Sequence, residues 1–212
     1  MIKGSTSKPA RREDDNSQAA RRALTSHGST DDFSTMITRG EKVDTRFPVK
    51  VFQHGMEATV TFADLLTRPT VVSVYMRNNT PGCDKQNASL ALHAAEFDRA
   101  GYNLIAISRD TLGSHARYAA KKKIPYTLVS DPNDLFAKAS DSVIEKSMYG
   151  RKFFGPARAA YVLAADGTVL AVVEKVNTAD HAAQLRELLK SLGSQRAGFE
   201  SARLLNRAGR TL

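Results

Sequence analysis

The stretch that most constrains the fold is Val71-Val72-Ser73-Val74-Tyr75-Met76-Arg77-Asn78-Asn79-Thr80-Pro81-Gly82-Cys83-Asp84-Lys85-Gln86. Its apolar, β-branched run from Val71 to Tyr75 predicts a buried strand. Thr80 followed by Pro81 predicts a helix start, with Thr at the N-cap and Pro at the first helical position. Cys83, the only cysteine in 212 residues, then falls in the first turn. There, unpaired backbone N–H groups and the helix dipole favour an anion, so the position suits a thiolate. A lone cysteine is more often a small buried hydrophobe, but the strand, cap and helix start together favour the reactive role.

Further along, Leu104 to Ser108 predicts a second buried strand, and the helix-length segment between the two makes a βαβ unit. Leu90, Ala91, Ala94 and Phe97 recur at helical spacing within that segment. A hairpin is expected before it, Val49 to Phe52 and Thr59 to Phe62 around Gln53-His54-Gly55, then a helical turn over Ala63 to Leu66. After it come a helix over Ser114 to Lys123, a strand over Tyr126 to Val129 and a short helix over Leu135 to Ser140. Ala160 to Ala164 and Thr168 to Lys175 flank Asp166-Gly167, a strong hairpin signal. Leu185, Leu188, Leu189 and Leu192 form a closing helical stripe that Gly193 is expected to end. A parallel βαβ unit, then an antiparallel hairpin, then a closing helix is the thioredoxin-type order: α/β, a central mixed sheet flanked by helices. In that architecture the loop entering the hairpin lies against the start of the redox helix, which brings Arg158 beside Cys83.

Residues 1–40 are rich in Ser, Thr, Arg and Asp with few large apolar residues and are expected to form a tail without packed structure. The domain is expected over 41–192, followed by a C-terminal tail over 193–212. No apolar run approaches the ~20 residues needed to span a bilayer, and no apolar core follows the N-terminal lysine as in a secretory signal. With one cysteine no internal disulfide forms, which fits a reducing, cytoplasmic setting. The net charge of +9 raises nucleic acid as a partner, but the basic residues are scattered and carry no aromatic interleaving or zinc spacing. No specific nucleic-acid binding is expected. The five histidines lack metal-ligand spacing, and Gly150 to Gly155 lacks that of a phosphate loop and follows no predicted strand. Lys121-Lys122-Lys123 is most simply a solvated helix end.

Thr80-Pro81-Gly82-Cys83 with Lys85-Gln86 resembles the peroxidatic site of the peroxiredoxin Q family, also called bacterioferritin comigratory protein. The resemblance extends through Gly101 to Asp110, Ser130-Asp131-Pro132, Lys146 to Lys152, Arg158 and the Asp166-Gly167 turn, covering approximately residues 41–192. It implies that Cys83 attacks a peroxide and that Thr80 and Arg158 are its catalytic partners. The Gly82 and Cys83 backbone N–H groups would bind the substrate, and no cofactor is needed. Three departures stand out. The family has a proline where Met76 stands, a threonine in place of Asp84, and in many members a resolving cysteine where this chain has Ala88. A carboxylate at Asp84 is expected to oppose the neighbouring thiolate, partly offset by Lys85. Without a resolving cysteine, an external thiol such as thioredoxin, glutaredoxin or a low-molecular-weight thiol must reduce the sulfenic acid.

The expectation is a one-cysteine thiol peroxidase acting on hydrogen peroxide and organic hydroperoxides, a monomer or weak dimer. Met76 and Asp84 keep one alternative in view: a weakly active or non-catalytic thioredoxin-fold redox sensor or binding module. A disulfide oxidoreductase is disfavoured because Cys-x-x-Cys is absent.

Overall fold

The computed structural model describes residues 36–148 and 150–208. Most of the expected N-terminal tail, residues 1–35, lies outside them, as do residues 209–212. Packing begins before the expected boundary at Glu41. Ile37 is buried in the core and its N–H donates to the Ser140 carbonyl at 3.1 Å.

The expected first hairpin is β1 (Pro48–Gln53) with β2 (Met56–Thr61). Its His54-Gly55 turn has positive φ at both residues, the geometry that matches the twist of the flanking strands. A 3-10 turn at Phe62–Leu65 leads to β3 (Thr70–Val74), then α1 (Pro81–Arg99), β4 (Asn103–Ser108), α2 (Leu112–Lys122), β5 (Thr127–Ser130) and α3 (Leu135–Ala139). The chain continues through β6 (Val143–Met148), β7 (Arg151–Pro156), β8 (Ala160–Leu163), β9 (Val169–Val173) and α4 (His181–Ala208). A seven-stranded sheet runs β2-β1-β5-β4-β3-β8-β9. The three strands β5, β4 and β3 are parallel, and the outer pairings are antiparallel. This is the thioredoxin-like mixed sheet that the element order predicted.

Because β3 sits inside the sheet, both its faces are covered, and its sequence is a continuous apolar run rather than an alternation. Val71 and Tyr75 face one core with Leu90, Phe97 and Leu185. Val72 and Val74 face the other with Phe62, Phe136 and Tyr161. Leu90 and Phe97, fully withdrawn from water, hold α1 on the sheet and contribute roughly 2–3 kcal/mol each. The same alternation sends the hydroxyl of Ser73 to the α1 side, where it is completely buried.

Two elements differ from expectation. The arm β6–β7 pairs Val143 with Pro156 through Met148 with Arg151, where no strand was expected. Its outer residues Phe154, Lys152 and Arg151 are exposed, so no buried face imposes a readable apolar period. Gly150, at φ 75°, turns the arm, so the Gly150–Gly155 stretch does follow a strand, although its spacing still does not make a phosphate loop. The closing helix α4 runs on through Gly193 to Ala208. An interior glycine costs about 1 kcal/mol relative to alanine but does not terminate a helix on its own.

Candidate active site

β3 ends at Val74, and a short loop, Tyr75 to Asn79, delivers Thr80 to the start of α1. A buried polar cluster fixes the loop. The Tyr75 hydroxyl donates to Asn78 Oδ1 at 2.7 Å, and the Asn78 N–H donates to Asp110 Oδ2 at 2.8 Å. Asn79 adopts positive φ, 57°, and its side-chain oxygen accepts from Lys121 Nζ at 3.2 Å. Thr80 occupies the N-cap with extended dihedrals, and Pro81 takes the first helical position. The Thr80 hydroxyl makes no capping bond; it donates to the Arg77 carbonyl at 2.9 Å. It therefore leaves the first-turn N–H groups of Gly82 and Cys83 for another acceptor.

Cys83 is completely buried. Burial alone would push its thiol up, but the Thr80 hydroxyl, once it turns from the Arg77 carbonyl to the sulfur, the Arg77 and Met76 backbone N–H groups and the Arg158 guanidinium outweigh it. The net pKa is lowered. Arg158, in the loop entering β8, places Nη2 3.3 Å from Cys83 Sγ. Its other nitrogen, Nη1, donates to Gln86 Oε1. The two partners of the guanidinium are thus a thiol and an amide rather than a carboxylate, and its full charge faces the sulfur. Gln86 lies three residues after Cys83, on the same face of α1.

The departures at positions 76 and 84 take on a different meaning in space. The Met76 backbone N–H faces the thiolate, and a proline there would carry no N–H. The Met76 sulfur lies 2.7 Å from Lys146 Nζ, which also donates to the Pro156 carbonyl. Burial lowers the pKa of Lys146, helped by the charges of Arg109 and Arg158. Asp84, expected to oppose the Cys83 thiolate, is engaged elsewhere. Its carboxylate turns to α2, pairing with Lys122 at 2.6 Å and accepting from the Tyr118 hydroxyl at 3.0 Å. Lys85, expected to offset it, is exposed. Lys122, expected only in a solvated helix end, is the residue that neutralises it.

Thr80 and Arg158 thus converge on the Cys83 sulfur, Gly82 lies beside the Arg158 guanidinium, and Met76 adjoins the sulfur through its backbone. Sequence reasoning missed Gln86 as the guanidinium's anchor, the Arg77 N–H, Lys146 and Lys122. Only Gln86 carried a signal, its helical spacing from Cys83. Among the described residues no group of His, Cys, Asp and Glu is arranged to hold a metal ion, and no helix is long and apolar enough to cross a membrane.

Residues 43–172 match the AhpC/TSA family. Over 125 residues the chain is 34% identical to Peroxiredoxin Bcp of Xanthomonas campestris pv. campestris, covering 59% of this chain and 78% of that one. It is also 34% identical over 110 residues to the chloroplastic Peroxiredoxin Q of Gentiana triflora, covering 52% of this chain and 48% of that one. A solved structure of Xanthomonas campestris bacterioferritin comigratory protein, from work on its alkyl peroxide reduction activity, superposes with a TM-score of 0.64. The identity is 26%, over 76% of this chain and 99% of that one.

Proposed function

The chain belongs to the AhpC/TSA family and is a thiol peroxidase of the peroxiredoxin type, and we propose that Cys83 is its peroxidatic nucleophile, with Thr80 and Arg158 as catalytic partners. The observation that carries this reading is the Cys83 sulfur, fully buried yet lowered in pKa, with an Arg158 guanidinium nitrogen 3.3 Å away. Buried thiols ordinarily shift the other way.

In the first step the Cys83 thiolate attacks the terminal oxygen of ROOH. The S–O bond forms as the O–O bond breaks, and the leaving RO⁻ takes a proton to become ROH, or water when R is hydrogen. Sulfur is oxidised to the sulfenic acid and the peroxide is reduced. Charge grows on the leaving oxygen, and Arg158 together with the Gly82 and Cys83 N–H groups are the donors that stabilise it. The Thr80 hydroxyl, facing both the sulfur and the loop carbonyl, orients the peroxide. Hydrogen peroxide and alkyl hydroperoxides are the substrates.

Cys83 is the chain's only thiol, so the sulfenic acid is reduced from outside. A first thiol condenses with it to a mixed disulfide and releases water, and a second thiol releases Cys83. Thioredoxin, glutaredoxin or a low-molecular-weight thiol fits this step, in a reducing cytoplasmic compartment, with the enzyme a monomer or weak dimer. Since Cys83 is buried, a thiol reaches it when the first turn of α1 unwinds, and Gly82 lowers the cost of that change. Catalysis is assigned to residues 41–192.

Mixing reduced protein with one equivalent of peroxide in stopped flow tests this proposal. Consumption of the equivalent, with a dimedone adduct on Cys83 and no reaction in Cys83→Ser, is expected. Peroxide consumption by folded Cys83→Ser at the wild-type rate would overturn the assignment.

A further inference from the structure

Behind Arg158 a buried hydrogen-bond chain continues away from the active site, and its polarity is fixed at every link. The far end is His181, the first residue of α4, completely buried. Gln184 anchors it. Its side-chain oxygen accepts from the Asn177 N–H at 2.9 Å and its side-chain nitrogen donates to the Lys175 carbonyl at 2.8 Å. That oxygen lies 3.3 Å from His181 Nδ1. Facing an acceptor, Nδ1 carries the proton of the neutral ring, and Nε2 is left as a lone pair. Nε2 lies 3.2 Å from Ser73 Oγ, so the Ser73 hydroxyl is the donor. Ser73 Oγ in turn accepts from Gln86 Nε2 at 2.9 Å. With its NH₂ on Ser73 and the Val74 carbonyl, Gln86 presents its oxygen to Arg158 Nη1. Arg158 Nη2 then points at Cys83.

We propose that His181 is a positioning residue for peroxide reduction, acting through Ser73 and Gln86 to aim the Arg158 guanidinium at Cys83. This rests on the peroxidatic role of Cys83 and extends it to a residue 98 positions away in sequence. The chain matters because an amide has no intrinsic preference for which end it offers. A Gln86 side chain turned over would set its NH₂ against the guanidinium, donor against donor, and push Arg158 off the sulfur. The Val74 carbonyl already favours the observed orientation, and His181 reinforces it by fixing the Ser73 proton, which leaves Ser73 only an acceptor to offer Gln86. The His181, Ser73 and Gln86 side chains are all buried, where a lost partner is not replaced by water. Burial also keeps the His181 ring neutral, with its pKa lowered to about 4, so Nε2 stays an acceptor at neutral pH.

The test uses full-length protein and two readouts, the Cys83 pKa from thiolate absorbance and the second-order rate with hydrogen peroxide. His181→Leu removes the acceptor and should raise the pKa and slow the reaction roughly fivefold, the effect of losing one buried hydrogen bond. His181→Gln, which keeps an acceptor near Nε2, should restore both values. In a Gln86→Met background the chain is already cut, and His181→Leu should cause no further loss. Additive losses in the double variant, or an unchanged pKa and rate in folded His181→Leu, would overturn the proposal. Should His181→Leu not fold, Ser73→Ala severs the same chain with a smaller change in volume and is read by the same criteria. Failure of the wild-type protein to form a Cys83 sulfenate would instead count against the peroxidatic assignment itself.

Discussion

Acid should weaken this fold from about pH 6.5 downwards, because two histidines are buried in it as neutral rings. His115 donates from Nε2 to the Val129 carbonyl at 3.2 Å and sits with Tyr75 and Asn78 beneath the active-site loop. His181 ends the chain behind Arg158. Burial lowers each pKa from 6.5 to about 4. For His115 the Asp110 charge and the Val129 carbonyl oppose that shift; for His181 the Gln184 oxygen opposes it while the Arg158 charge adds to it. Between these two pH values the unfolded chain binds protons that the folded one refuses, so the contribution of these rings falls as pH drops from about 6.5 to about 4, and they add no slope above that window. At about 1.36 kcal/mol per pK unit, each ring contributes a loss of roughly 3 kcal/mol, and the pair roughly 6. That compares with the 5–15 kcal/mol total of a typical domain. Asp44 and Asp166, held near 2 by Arg46 and Lys42 respectively, act only below that window. Asp131, raised by burial, works weakly in the opposite direction. Urea unfolding at pH 7.0, 5.5 and 4.5 measures the effect, and His181→Gln should remove about half of the slope. A midpoint that is constant or rises on acidification, or a His181→Gln slope equal to wild type, would show that these rings do not set the acid response.

Other perturbations separate the roles of the surrounding residues. Arg158→Met should raise the Cys83 pKa and slow peroxide reduction about a hundredfold, the usual size of a lost charge-stabilising donor; a loss below threefold would mean the guanidinium is not aimed at the leaving oxygen. Asp84→Thr should leave the Cys83 pKa within about 0.5 of wild type, since Lys122 already neutralises the carboxylate. A clear fall in the thiolate titration would show that Asp84 opposes the thiolate after all. With excess peroxide and no added thiol, intact mass should show Cys83 as sulfinic acid, because no second cysteine competes for the sulfenate. Full activity through many turnovers under those conditions would contradict the one-cysteine scheme.

What the sequence carried were the features set by local periodicity and end signals. The Val71–Tyr75 run, the Thr80-Pro81 helix start and the Asp166-Gly167 turn each declare an element within a few residues, and their order yields the sheet. From that order the meeting of Arg158 with Cys83 follows. What stayed hidden depends on partners distant in the chain. Nothing near Asp84 says that its counter-charge comes from Lys122 rather than Lys85. Ser73 sits in an apolar run and reads as a tolerated small residue, although its hydroxyl links His181 to Gln86. The Met76 N–H is invisible in a side-chain reading, yet it turns a departure from the family pattern into a donor. The β6–β7 arm stayed hidden because a two-stranded ribbon lying off the main sheet has no fully buried face to impose alternation.

This site lowers the pKa of a buried thiol, and the proposed chemistry has Arg158 direct charge at the bond being broken. The most direct measurement is the pH dependence of the reaction between reduced protein and limiting hydrogen peroxide, followed by stopped flow from pH 5 to 9.5. A single inflection from Cys83 below ~8.5, the value for a free cysteine, is expected, shifted up towards it in Arg158→Met. An inflection at or above ~8.5 in the wild-type protein, with a rate no faster than free cysteine, would contradict it.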